Sequence, residues 1–291
     1  MPELPEVEVT RQKLSPALVG RRVDRVLTTS PSYFFITPPD ELRDGLEGRQ
    51  IESLVRLGKY LVAGLSGGGR LLLHLGMTGQ LFVEGTASVR LLSATVRASL
   101  APEDQPVFEA DRHTHLSLCF SDDGPRVFFR DVRKFGKVQL LAADEACARL
   151  SKLGPDALQV EGEDLFRASR KRVVAIKSLL LDQSVIAGSG NIYTDEALFL
   201  AGVRPTRRAG RVTLRECAAI AEATRAVMLR SIETGGSSIS DYIAPDGADG
   251  GYQDERRVYA RTGEVCTQCD AVIKRVVVGQ RSSHYCPKCQ P

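Results

Sequence analysis

The sequence predicts an α+β multidomain chain: a β-rich N-terminal block with one flanking helix, a helical middle region, and a four-cysteine zinc ribbon. Many short strand-like runs crowd residues 1 to about 145. After Gly154-Pro155 the apolar spacing changes to a helical period. Two Cys-x-x-Cys knuckles, Cys266/Cys269 and Cys286/Cys289, close the chain with sixteen residues between them. At 291 residues, 43% of them hydrophobic, the chain is long enough for more than one domain and can bury a full core.

Glu6 to Leu18 is the helix candidate of the β-rich block. Arg49 to Leu65 and Arg70 to Val83 carry strand-like runs. Leu116, Leu118 and Phe120 alternate with Ser117 and Cys119, a period of two. Ser121-Asp122-Asp123-Gly124-Pro125 then turns into Arg126 to Phe129. Several short strands in one block suit a sandwich or a barrel. Thr86 to Asp111 has no assignable pattern. Val173 to Leu181 reads as a helix, Gly188-Ser189-Gly190-Asn191 breaks it, and a second helix runs to about Leu200. Thr213 and Glu216 have capping-box spacing ahead of helically spaced apolar residues from Leu214 to Met228. Gly235 to Gly251, rich in Gly, Ser and Asp, reads as a mobile loop.

Of seven cysteines, Cys119, Cys147 and Cys217 lie among apolar neighbours and read as core thiols. The terminal four have the spacing of a structural zinc site, in which four thiolates close a tetrahedron. Disulfides would need an oxidising compartment. The opening residues carry neither a basic leader nor an apolar stretch, and no apolar run reaches the roughly 18 residues of a membrane span, so a cytoplasmic protein is expected.

The net charge of +3 is too small to imply an anionic partner, but its distribution is uneven. Arg167, Arg170, Lys171, Arg172 and Lys177 form one cluster, Arg204, Arg207, Arg208 and Arg211 a second, and Arg256, Arg257 and Arg261 a third. All lie in the C-terminal half, which suits a face that tracks phosphates, or simply a solvated surface. Lys274, Arg275, Arg281 and Lys288 make the ribbon basic as well.

Residue 2 is proline. Removal of Met1 would expose a secondary amine with a pKa of about 7.7 to 8.0, partly uncharged at neutral pH. Such an amine can attack a sugar C1′ and form an iminium. Glu3 could protonate a departing base or the ring oxygen. Two prolines near a helix start can equally serve only to position it.

Six segments in order give this pair a context: Met1-Pro2-Glu3-Leu4-Pro5-Glu6-Val7-Glu8, Gly58-Lys59-Tyr60-Leu61, His74-Leu75-Gly76-Met77-Thr78-Gly79, Asp131-Val132-Arg133-Lys134-Phe135-Gly136, Gly188-Ser189-Gly190-Asn191-Ile192-Tyr193, and the ribbon. Spanning almost the whole chain, they resemble the bacterial formamidopyrimidine-DNA glycosylases. The resemblance implies an N-terminal β-sandwich with flanking helix (1–150), a helix–two-turn–helix domain (151–255) and a zinc-ribbon finger (256–291). It implies excision of oxidised purines, 8-oxoguanine and formamidopyrimidines, from damaged double-stranded DNA in base excision repair, followed by β- and δ-elimination. The protein is expected to be a monomer with one structural Zn2+, associated with the nucleoid through DNA.

The resemblance also assigns roles. Pro2 would be the Schiff-base nucleophile and Glu3 the proton donor. Lys59 would bind phosphate and assist β-elimination, and Arg281 would bind flanking phosphates and support δ-elimination. Met77, Arg133 and Phe135 would fill the gap left by the extruded nucleotide, offsetting the cost of unstacking. Asn191, at a loop-to-helix junction, would bind phosphate, cap the helix, or both. His74 and His113 match phosphate-side positions, and Lys171, Arg172 and Lys177 match DNA-contacting ones. The chain departs from the family pattern between Met77 and Arg133, which lie about twenty residues further apart than expected; the added length is placed at Ser88 to Pro106, an insertion of a kind that loops tolerate. Endonuclease VIII, which prefers oxidised pyrimidines, and a non-catalytic DNA binder are the rival readings. A metal-dependent nuclease lacks the necessary carboxylate cluster.

Overall fold

A computed structural model of the chain describes residues 1–88, 107–239 and 242–291. Two compact units result: Met1–Cys147 with Gly235–Gly251, and Ala148–Thr234 with Tyr252–Pro291.

The first unit begins with α1 (Leu4–Leu18), which starts two residues before the expected Glu6 because Pro5 fits the first turn, where no amide donor is needed. After it come β1 (Val23–Thr28), α2 (Pro39–Leu46), β2 (Ile51–Leu57), β3 (Tyr60–Leu65), β4 (Arg70–His74), β5 (Gly79–Val83), β6 (Thr114–Phe120), β7 (Val127–Asp131) and β8 (Lys137–Leu141). The strands form two four-stranded antiparallel sheets, ordered β1-β6-β7-β5 and β2-β3-β4-β8. One buried cluster takes Val26, Leu118 and Phe129 from the first sheet and Leu54, Leu61, Leu73 and Val138 from the second, with Leu14 and Leu42 from the helices. Two separate sheets sharing one core make the block a sandwich rather than a barrel. The outer face of the first sheet is covered too, by a cluster of Phe82, Phe108, Phe128 and Ile243.

Ile243 comes from the Gly235–Gly251 segment, which the sequence reading assigns to the helical domain. The contacts place it with the sandwich. Ser237 N–H donates to Glu6 Oε1 at 2.9 Å, Val83 N–H donates to Pro245 O at 3.3 Å, and Lys13 pairs with Asp246. The added length expected at Ser88 to Pro106 lies outside the described residues from 89 onward. Its base is closed by an antiparallel bridge between Ala87 and Val107 and by Phe108 N–H donating to Thr86 O at 2.6 Å.

The second unit holds α3 (Gly162–Ser169), α4 (Ile176–Leu180), α5 (Asn191–Leu200), α6 (Leu214–Glu233) and a hairpin of β9 (Lys274–Val278) and β10 (Arg281–Tyr285). The helix expected over Val173–Leu181 is shorter. Val173 and Val174 are exposed, and Ala175 is extended and bridges Arg208, so the backbone there pairs as a strand would. The Gln183 side chain fastens the loop between α4 and α5, donating to Leu181 O and Ser189 O and accepting from Gly188 N. α6 opens on the expected capping box: Thr213 Oγ1 accepts from Glu216 N at 3.3 Å, and Glu216 Oε2 accepts from Thr213 N at 2.8 Å. Among the described residues no helix is long and apolar enough to cross a membrane.

Candidate functional site

Pro2 and Glu3 are buried where α1 begins, Glu3 being its N-cap. Glu3 N–H donates to Glu6 Oε2 at 2.8 Å, while Glu6 Oε1 takes the Ser237 amide. Glu6 therefore fixes the backbone beside Pro2 with one oxygen and the 235–251 segment with the other. Lys59 is buried in the turn between β2 and β3. That turn is tied to α1: Arg56 donates to Glu8 Oε2 at 3.0 Å and to Gly58 O at 3.2 Å. Burial pushes the Glu8 carboxyl up, but hydrogen bonds and charge from Arg11, with Gln12 and Arg56, outweigh it and hold the group below the usual carboxylate range.

Met77 and Phe135 are large apolar side chains left 38% and 41% exposed, and the Arg133 guanidinium lies 4.5 Å over the Phe135 ring. Two loops, between β4 and β5 and between β7 and β8, bring them together. At Gly76 (φ 63°) a Cβ would lie 2.4 Å from the Phe135 carbonyl carbon, so only glycine permits this approach. An arginine flanked by exposed apolar side chains is the equipment of a base-stack wedge. Asp131, which begins the motif that supplies Arg133 and Phe135 but carries no role in the sequence reading, is fully buried beneath these loops.

His74 ends β4 with its ring 4.7 Å from Tyr60 and its Nδ1 accepting from Gly76 N at 3.1 Å, so one ring nitrogen shapes the Met77 loop. His113 is half-buried beside Arg112.

In the second unit Gly190 is the N-cap of α5 and Asn191 is its first residue, not its cap. The Asn191 Oδ1 is buried with no hydrogen-bond partner among the described residues. Lys171 and Arg172 are exposed. Lys177 corrects the sequence reading: it is fully buried, its Nζ donating to Asp195 Oδ1 at 2.6 Å and to Ser282 O at 2.7 Å, and it presents no charge to a ligand. Its place in a basic cluster with Lys171 and Arg172 could not reveal an acid eighteen residues away. Several other clustered arginines are likewise structural. Arg207 pairs with Glu216, Arg204 donates to Gln290 O, and Arg261 binds Glu264.

Arg281 is exposed at the start of β10. The two-residue turn before it, Gly279 and Gln280, has both residues left-handed (φ 54° and 62°), as a type I′ hairpin requires. The adjacent acids of α5 hold this module. Asp195 Oδ2 accepts from His284 N at 2.8 Å, and Glu196 accepts the backbone amides of Arg257, Val258 and Tyr259 at 2.8–2.9 Å. Neither acid carries a role in the sequence reading; the one available signal was that they are the only two charged residues of this helix. The thiols of Cys266, Cys269, Cys286 and Cys289 converge, with Sγ separations of 3.9 Å (266–289), 3.5 Å (269–286) and 3.6 Å (269–289). A tetrahedron with Zn–S bonds of about 2.3 Å has edges of about 3.8 Å, so the thiols fit one structural zinc.

Comparison with known proteins agrees along the whole length. Residues 1–138 match the formamidopyrimidine-DNA glycosylase N-terminal domain, 153–243 the H2TH domain of the same proteins, and 263–291 the zinc finger found in FPG and IleRS. The formamidopyrimidine-DNA glycosylase of Solibacter usitatus is 40% identical over 290 residues, covering 100% of this chain and 99% of its own. The crystal structure of MutM (Fpg) from Thermus thermophilus superposes with a TM-score of 0.83 at 34% identity, covering 99% of this chain and 98% of its own. A Lactococcus lactis Fpg mutant in complex with Fapy-dG-containing DNA gives 0.84 at 32% identity, covering 99% of each. From these matches, which take in all three segments of the sandwich, the helical pair and the ribbon, it follows that the chain belongs to the formamidopyrimidine-DNA glycosylase family.

Proposed function

We propose that this protein excises oxidised purines, formamidopyrimidines and 8-oxoguanine, from duplex DNA and then cleaves the strand as an AP lyase. The observation that carries the mechanism is the Pro2-Glu3 pair, buried at a helix N-terminus and fixed through Glu6. With Met1 removed, the Pro2 nitrogen attacks C1′ and gives up its proton, the base leaves with a proton from Glu3, and the C1′–O4′ bond then opens, O4′ leaving as a hydroxyl, so that an iminium links protein to sugar. Loss of a C2′ proton breaks the C3′–O bond, and a second elimination breaks the C5′–O bond, leaving a one-nucleotide gap. Lys59 assists the first elimination and Arg281 the second. Met77, Arg133 and Phe135 occupy the vacated stack. Asn191, Lys171, Arg172, His74 and His113 bind phosphate, whereas Lys177, buried against Asp195 and Ser282, braces the ribbon. The sandwich catalyses, the helical domain and ribbon grip the duplex, and the zinc is structural because four thiolates leave no open coordination position. The enzyme acts as a monomer in the cytoplasm, and its association with the nucleoid follows from DNA binding.

The likeness to formamidopyrimidine-DNA glycosylases over the whole chain favours a purine enzyme over the endonuclease VIII reading. Borohydride trapping on duplexes carrying 8-oxoguanine or thymine glycol tests both points. A covalent adduct with preference for 8-oxoguanine is expected. No adduct from the processed protein would leave only a DNA binder, and a clear preference for thymine glycol would assign the chain to the pyrimidine enzymes.

A further inference from the structure

We infer that Asp131 is the positioning residue that holds Met77, Arg133 and Phe135 in register as a wedge, an inference that rests on the reading of those three as gap-filling residues. The Asp131 side chain is fully buried at the end of β7 and accepts three hydrogen bonds from two loops. Oδ1 takes Thr78 Oγ1–H at 2.5 Å and Arg133 N–H at 3.1 Å, and Oδ2 takes Gly136 N–H at 2.6 Å. Each of these bonds ends on a wedge residue or on its neighbour: Thr78 follows Met77, Arg133 is itself a member, and Gly136 follows Phe135.

A simple aspartate turn would need only the Arg133 amide, two residues on. The Thr78 bond reaches to a different loop, 53 residues away in sequence, and is itself buried. The Gly136 bond is made at close quarters, since a Cβ on Gly136 would stand 3.0 Å from Asp131 Oδ2. The Asp131 carbonyl accepts from His115 Nε2 at 2.9 Å, and Tyr33 OH donates to Arg133 O at 2.7 Å, so the loops are also held from behind. Hydrogen bonds to a buried charged acceptor are strong and directional. The arrangement fixes where three exposed side chains point while leaving them exposed. A wedge must enter the duplex already formed, because ordering long side chains at that moment would add to the cost of unstacking.

The test uses the zinc-loaded full-length protein with Asp131→Asn, Thr78→Val and Thr78→Ser. Two substrates separate the steps: a duplex containing 8-oxoguanine, which requires the wedge, and a single-stranded oligonucleotide with a preformed abasic site, which does not. Asp131→Asn should lower kcat/KM on the duplex by about tenfold or more while borohydride trapping on the single strand stays within about twofold. Thr78→Val should show a smaller loss of the same kind, and Thr78→Ser, which keeps the hydroxyl, should restore activity. Equal losses on both substrates, or no loss on the duplex, overturn the inference. If Asp131→Asn does not fold, the Thr78 pair decides: an unchanged duplex kcat/KM in Thr78→Val overturns it. Triple alanine replacement of Met77, Arg133 and Phe135 tests the underlying reading separately. If that variant keeps full duplex activity, the wedge assignment fails whatever Asp131 does.

Discussion

Lys177 Nζ and Asp195 Oδ1 lie 2.6 Å apart with neither side chain exposed, and the pair joins three elements: α4, α5 and, through Ser282 O and the His284 amide, strand β10. Buried ion pairs are costly to break because the surviving charge is stranded. Lys177→Met should therefore destabilise the second unit by roughly 3–5 kcal/mol, and adding Asp195→Asn should recover part of that loss. Urea denaturation of the single and double variants measures both. A single variant as stable as wild type would mean that water reaches the pair.

Pro2 and Glu3 are separable by experiment. Pro2→Gly keeps an amine but loses the ring, and should weaken Schiff-base trapping. Glu3→Gln leaves its backbone N–H on Glu6 and removes only the acid, so excision should fall by about 10²–10⁴ while DNA binding persists. Single-turnover excision and anisotropy with lesion duplex report the two quantities. Full excision by Glu3→Gln would take that residue out of the mechanism.

What could be read from the sequence was whatever chemistry fixes locally. The knuckle spacing brings four thiols together because a tetrahedral ion allows few alternatives, and Thr213 and Glu216 cap α6 within three residues. Lys177 is not legible as a buried residue because its partners, Asp195 and Ser282, are distant in sequence, so burial and charge pairing leave no local signal. Val173 and Val174 carry a helical apolar pattern but flank a bridge to Arg208. The 235–251 segment is polar and glycine-rich, yet Glu6 and Lys13 hold it. The positions of Asp131, Asp195 and Glu196 depended on which backbone amides the fold would bring to them.

Zinc removal should act through geometry rather than chemistry. The thiols form a small cluster with Phe199, Val258 and Ile273, too little apolar surface to hold the ribbon alone. Chelation, or Cys286→Ser, should loosen the hairpin that carries Arg281 and weaken duplex binding. Borohydride trapping on a single-stranded abasic oligonucleotide should largely survive. Parallel loss of both would place the metal in the reaction itself.

Glu8 gives a pH prediction. Its folded carboxyl sits below the ordinary value of 4.5 because Arg11, Gln12 and Arg56 outweigh burial. A depressed carboxyl contributes stability that is present above that ordinary value and lost as pH falls through the folded one. Glu8→Gln should thus cost roughly 1 kcal/mol at pH 7, with the gap to wild type closing below pH 4.5. Unfolding free energies across that range check it; a constant gap would point to lost packing instead.

Arg281 follows a type I′ turn, exposed, on a hairpin that Lys177 and Asp195 hold from beneath. A side chain so presented, on a rigid support, suits a phosphate and has no need of a base edge. Each phosphate contact releases condensed counterions, so its loss changes the salt dependence as well as the affinity. Arg281→Ala should weaken binding to all duplexes alike and reduce the slope of log K against log salt by about one. If the Arg281 guanidinium assists the second elimination as proposed, the same variant should accumulate the β-elimination product at the expense of the δ-product. An unchanged slope with a normal product ratio would show that the ribbon tip stands clear of the DNA.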